Sequence, residues 1–78
     1  MSTVHDRRYA RLIKHLVACR RAAGVTQEHL AAKLRIEQSA VSKVENLERR
    51  IGVIELRDWL TAIAYDPATF LREIGWLD

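Results

Sequence analysis

Apolar residues recur along this chain at spacings of three and four. No stretch alternates with period two for long enough to make a strand, so the pattern predicts helices throughout. From Asp6 to Ala23, the residues Tyr9, Leu12, Ile13, Leu16, Arg20 and Ala23 fall on one helical face, and Gly24 follows where a left-handed cap is wanted. Thr26 can cap a second helix of barely nine residues, with Glu28 in the anion-favouring first turn and Leu30, Ala31 and Leu34 as its buried stripe. A third helix runs from Gln38 to Asn46 or Leu47, with Val41 and Val44 inward. A fourth spans about Val53 to Ala64 through Leu56, Leu60 and Ile63. The fifth runs from Pro67 to about Ile74; Asp66 caps it, and Pro67 stands where a missing N–H costs nothing.

An apolar pair with one fixed spacing marks four of these starts: Val25 with Leu30, Ile36 with Val41, Ile51 with Leu56, and Tyr65 with Phe70. Each has the register of a hydrophobic staple, in which the residue before the N-cap packs on the fourth helical residue. Thr26 and Asp66 are strong caps, whereas Glu37 and Gly52 are weaker ones.

Seventy-eight residues, 49% of them hydrophobic and 29% charged, make one compact all-α domain over 1–78. A chain of this size buries only roughly 60% of the surface it exposes when unfolded, so a partner subunit is a natural supplement to its core. Cys19, the sole cysteine, has no disulfide partner and reads as a small semi-buried hydrophobe. No apolar run reaches the ~20 residues of a membrane span, and the polar start has no signal-peptide character, so a cytoplasmic protein without membrane contact is expected. Charge is unevenly spread: residues 1–51 carry a net +6 and residues 52–78 a net −3. That asymmetry fits one side facing a polyanion and the other facing protein.

Only Arg35, Ile36 and Glu37 separate the second and third helices, so the two are joined by a tight turn and cross steeply. On Gly24, Val25, Thr26, Gln27, Leu30, Ala31, Leu34, Ile36, Gln38, Ser39, Val41, Ser42 and Glu45, the chain resembles the helix-turn-helix family of phage repressor and Cro proteins and of xenobiotic response element type regulators. A weaker likeness continues through Leu56, Ile63, Ala64, Asp66 and Phe70. The resemblance implies a compact five-helix lambda-repressor-like domain, with the motif over about residues 26–46. Two departures stand out. Arg35 occupies a turn position where the family has glycine, and Leu47 stands where many relatives have glycine, so the third helix could run longer.

A short helix with a small polar outer face fits the DNA major groove, where all four base pairs are distinguishable. Gln38, Ser39, Ser42 and Lys43 supply that face, and by resemblance they are the base-contacting positions. Gln can pair bidentately with adenine, Lys can reach guanine acceptors, and Ser can bond either edge. Gln27 resembles the family's phosphate clamp at a helix N-terminus. Asn46, Arg49 and Arg50 are expected on phosphate as well, and Arg35 would place a charge close to the DNA backbone.

Arg20 and Glu45 each interrupt a buried stripe with a charge, and the resemblance pairs them as an ion pair locking the first helix to the third. His5, His15 and His29 share no metal-ligand spacing, and no His/Cys/carboxylate cluster is visible, so neither metal nor cofactor is expected. Trp59 reads as core or half-exposed packing. No nucleophile paired with a base and no glycine-rich phosphate loop is present, which argues against an enzyme. Phe70, Leu71, Ile74, Trp76 and Leu77 crowd the end of the chain and predict a dimerisation segment over 66–78. The expectation is a homodimeric regulator of transcription, repressing from a palindromic operator in double-stranded DNA. The alternative is a protein-interaction module, or an antitoxin-like component, whose main partner is another protein.

Overall fold

The computed structural model describes residues 5–78, and the first four residues of the polar start lie outside them. The described residues form five helices and no strand: α1 (Arg7–Ala22), α2 (Gln27–Leu34), α3 (Gln38–Glu45), α4 (Val53–Ala62) and α5 (Pro67–Glu73). α2 packs on both α3 and α4, and α1 packs on α3. The core joins Ile13 and Leu16 of α1, Leu30 of α2, Val41 and Val44 of α3, Trp59 and Leu60 of α4, and Phe70 of α5. The radius of gyration, 11.8 Å, is that of one close-packed body of this length. Among the described residues no helix is long and apolar enough to cross a membrane.

Local chemistry accounts for the starts. Asp6 accepts from the Arg8 N–H at 2.8 Å, Thr26 from the His29 N–H at 3.1 Å, and Asp66 from the Thr69 N–H at 2.9 Å. Glu37 makes no side-chain cap bond. At Gly52, which has no side chain to offer, the N–H instead donates to Glu55 Oε1 at 3.2 Å. The staple at α5 is seen in the rings of Tyr65 and Phe70, which meet edge to face with centroids 6.4 Å apart.

All five helices end the same way. A residue with positive φ stands just after the cap, or in α2 at the cap itself; its N–H reaches back to one orphan carbonyl, and the next N–H reaches to another. Gly24 and Gly75 fill this position in α1 and α5, where the backbone needs φ of 73° and 83°. Arg35, Leu47 and Ala64 fill it in α2, α3 and α4, at φ of 57°, 62° and 56°. A side chain in this region costs roughly 1–2 kcal/mol, so three of the five helix ends are strained. In four of the five, the residue just after is apolar: Val25, Ile36, Tyr65 and Trp76. Val25, Ile36 and Tyr65 are also staple residues, so one side chain serves the end of one helix and the start of the next.

Several expectations change. α3 does not run through Leu47: it stops at Glu45, and Leu47 turns left-handed because the Glu48 N–H closes on the Lys43 carbonyl at 2.7 Å. α4 stops at Ala62, since Ala64 is itself the left-handed residue. Ala23 is not on the buried face; as the cap of α1 it is exposed. Trp59, by contrast, takes the first of its two expected places, the core, at 2% exposure, and its indole N–H has no partner.

Candidate nucleic-acid interface

α3 is held by one face and free on the other. Val41 and Val44 are buried completely, while Gln38, Ser39 and Lys43 are exposed and Ser42 is half-buried. This division follows from helical spacing, because two inward positions three apart leave the other side of so short a helix to solvent. The turn before it is closed by the Arg35 N–H on the Ala32 carbonyl (3.2 Å) and the Ile36 N–H on the Ala31 carbonyl (3.0 Å). Arg35 therefore keeps the left-handed geometry that glycine adopts freely, and its side chain projects into solvent beside α3.

Arg20 and Glu45 lock α1 to α3. Arg20 Nε donates to Glu45 Oε2 at 2.6 Å and Nη2 to Oε1 at 2.9 Å, a bidentate fork. Nη1 donates to the Val25 carbonyl at 2.8 Å, which ties the α1–α2 connection to the same guanidinium. Both side chains are nearly sealed from water, at 7% and 5% exposure. Gln27 joins this network: its side-chain amide donates to Glu45 Oε1 at 2.8 Å, and the residue is half-buried. Gln27 is thus a bridge from α2 to α3, a role that sequence reasoning missed.

The remaining positions lie near the far end of α3. Asn46 is exposed, and its amide donates to Ser42 Oγ at 3.4 Å, one turn back. The following loop is anchored on both sides: the Arg49 N–H donates to the Lys43 carbonyl at 3.1 Å, and the Ile51 N–H to the Tyr9 hydroxyl at 3.0 Å. Arg49 and Arg50 are exposed on it. Arg49 lies 3.5 Å from Glu55 with both side chains about half exposed, a pairing worth about 0–1 kcal/mol and easily given up for a phosphate.

Two further features depart from expectation. Phe70 and Ile74 are 0% and 4% exposed, so they complete this domain's own core and are withdrawn from any dimer surface. Leu71 is half-buried, while Trp76 and Leu77 remain exposed at 56% and 45%. Val53 and Ile54 are more exposed still, at 80% and 68%. Their signal was available in the sequence, because an apolar pair stands at the start of α4 outside the stripe of Leu56, Leu60 and Ile63. The second departure is a His/Cys/carboxylate cluster formed by His15, Cys19 and Glu73. Here the signal was the helical spacing of four between His15 and Cys19, which puts them on one face of α1. Hydrogen bonds from Tyr65 and then His15 hold the Glu73 carboxyl below its ordinary value. Burial pushes the Cys19 thiol up, against a hydrogen bond with Tyr65.

Comparison with known proteins places this geometry. A helix-turn-helix family model matches residues 16–70. An XRE-family like protein from Pseudomonas syringae pv. tomato str. DC3000 is 47% identical and superposes with a TM-score of 0.84, over 92% of this chain and 88% of that one. A mutant of the restriction-modification controller protein C.Esp1396I superposes with a TM-score of 0.81 at 19% identity, over 88% of this chain and 87% of that one, a likeness of fold alone. No curated protein matches the chain.

Proposed function

The chain belongs to the Cro/C1-type helix-turn-helix family of DNA-binding transcription regulators, and on that premise we propose that it represses transcription as a homodimer on a palindromic operator. The observation that carries the reading is α3, buried through Val41 and Val44 and offering Gln38, Ser39 and Lys43 to solvent. In this reading α3 enters the major groove. Gln38 and Ser39 at its start, with Ser42 and Lys43 one turn on, meet base edges. Asn46 steadies Ser42, which favours one rotamer of a hydroxyl that could otherwise bond either base edge.

Arg35, Asn46, Arg49 and Arg50 sit on phosphates to either side and position the domain without reading sequence. Gln27 contributes to the phosphate clamp through the amide hydrogen that Glu45 leaves free, together with the N-terminus of α2. A two-fold dimer would space two copies of α3 about 34–36 Å apart, one DNA turn. Its interface uses Leu71, Trp76 and Leu77, because Phe70 and Ile74 are already committed to the core. The exposure of Val53 and Ile54 favours a second reading, a protein-interaction role in which α4 docks another chain.

Gel shifts with DNA flanking the encoding gene test the proposal. Gln38→Ala and Ser42→Ala should lose sequence preference while keeping general affinity, and Arg49→Ala should weaken all DNA alike and reduce the salt slope by about 1. Wild-type affinity should fall steeply between about 50 and 200 mM salt. Salt-insensitive binding, or a specificity untouched by Gln38→Ala, would reject it in favour of the protein-interaction reading.

A further inference from the structure

On the side of α1 that meets α5, three donors of different chemistry converge. His15 Nε2 lies 2.8 Å from Glu73 Oε1 and 3.6 Å from Cys19 Sγ, and one donor atom from each residue lies within 4.8 Å of the other two. We infer that His15, Cys19 and Glu73 form a tetrahedral site for a borderline-soft divalent cation, zinc above all, that clamps α5 to α1.

Geometry is the first support. Zinc bonds of about 2.3 Å to sulfur, 2.0–2.1 Å to nitrogen and 2.0–2.2 Å to oxygen, set at tetrahedral angles, place S and N about 3.6 Å apart and N and O about 3.3 Å apart. The thiol and imidazole already stand at the first separation; the carboxylate, 2.8 Å from the imidazole and within 4.8 Å of the sulfur, needs to swing about half an ångström away from the nitrogen and to within about 3.6 Å of the sulfur. Glu73 is 40% exposed, so it has the freedom to do so. The donor set is the second. Thiolate, imidazole and carboxylate together select zinc over magnesium or calcium, which take oxygen ligands.

The surroundings fit a held ion. The Phe70 ring lies 5.1 Å from the His15 ring and fixes its plane, and the Tyr65 hydroxyl donates to Glu73 Oε1, the oxygen that also meets His15. Such outer partners orient the ligands of a metal site. A shallow depression lined by Arg11, Lys14, His15, Ala18, Glu73 and Ile74 gives access from solvent and leaves the fourth vertex to water. Arg11 and Lys14 at its rim oppose a divalent cation held by the Glu73 carboxylate alone, so binding depends on the thiolate as well. The thiol proton leaves to solvent as the metal enters, and the imidazole keeps its hydrogen on Nδ1 while Nε2 coordinates. The two anionic ligands then balance the charge of the ion.

The test uses the full chain with Zn2+ and Co2+ as the only added ligands. Calorimetry should give one zinc per chain. Cobalt should produce the visible bands of a tetrahedral centre and a near-ultraviolet thiolate charge-transfer band, both abolished by zinc. Zinc at about 100 times its Kd should raise the melting temperature by about 10 °C or more. Cys19→Ser should remove the charge-transfer band and weaken zinc at least about tenfold, the loss seen even for outer-shell partners, while His29→Ala should change neither. Should Cys19→Ser fail to fold by circular dichroism, the exposed Glu73→Gln takes its place with the same expected weakening. A wild-type chain without the charge-transfer band, zinc affinity indifferent to the variant used, or binding removed by His29→Ala would each overturn the site.

Discussion

Replacing Glu45 with alanine should unfold this domain before it changes any DNA preference. Arg20 is 6% exposed, and its guanidinium makes three hydrogen bonds, two of them to Glu45. Without the carboxylate, a charged group stays sealed from water with only the Val25 carbonyl for company. Stranding one member of a buried ion pair costs about 3–5 kcal/mol. At about 0.05–0.15 kcal/mol per residue, a chain of this length holds only about 4–12 kcal/mol in all. The loss is thus a quarter of the stability at the least and all of it at the most.

In a domain this small, each kcal/mol moves the melting temperature by about 4–8 °C, so a drop of at least about 12 °C is expected. Urea titration followed by far-ultraviolet circular dichroism measures it directly. The double variant Arg20→Met, Glu45→Leu separates breaking the pair from lacking it, because apolar replacement of both partners is often neutral or stabilising. The double variant should therefore be markedly more stable than Glu45→Ala. An unchanged urea midpoint in Glu45→Ala, or a double variant as unstable as the single one, would refute the reasoning.

Two other outcomes follow from strain and charge. Arg35→Gly and Ala64→Gly should each raise stability by roughly 0.5–1 kcal/mol by relieving a positive φ at an exposed position, net of glycine's greater freedom in the unfolded chain; chemical denaturation checks this, and Arg35→Gly should weaken DNA binding even as it stabilises the fold. Asp6, Asp66 and Glu73 all have depressed carboxyl values, from Arg8, Thr69 and Tyr65 respectively. Their stabilisation is present above the ordinary carboxylate range and is lost as pH falls through the folded values. Urea midpoints should accordingly drop between neutral pH and about pH 3, and Glu73→Gln should flatten part of that drop.

What the sequence made legible was what depends on neighbours along the chain. Thr26 and Asp66 announced two helix starts because a cap acts within three residues, and the repeated apolar pairs announced those of α3 and α4. Arg20 and Glu45 were legible for another reason: a charge within an apolar stripe needs a partner, and the family resemblance paired the two. The helix ends were harder. Arg35, Leu47 and Ala64 occupy left-handed positions without glycine, so the residue types carry no stop signal and the strain is visible only in the backbone.

Hardest were distinctions between one kind of burial and another. Phe70 and Trp76 are both large and aromatic, yet one fills the core and the other faces water, because α5 ends at Glu73 and Gly75 turns the chain away before Trp76. Hydrophobicity marks a residue as wanting cover; it does not name what provides the cover. The same limit hid the His15–Cys19–Glu73 cluster, whose outer members lie 58 residues apart in the chain. Only the packing of α5 on α1 brings them together. In this domain α3, the helix we propose for reading DNA, was written in local spacing, whereas the site we assign to zinc exists only through the closure of the last helix on the first.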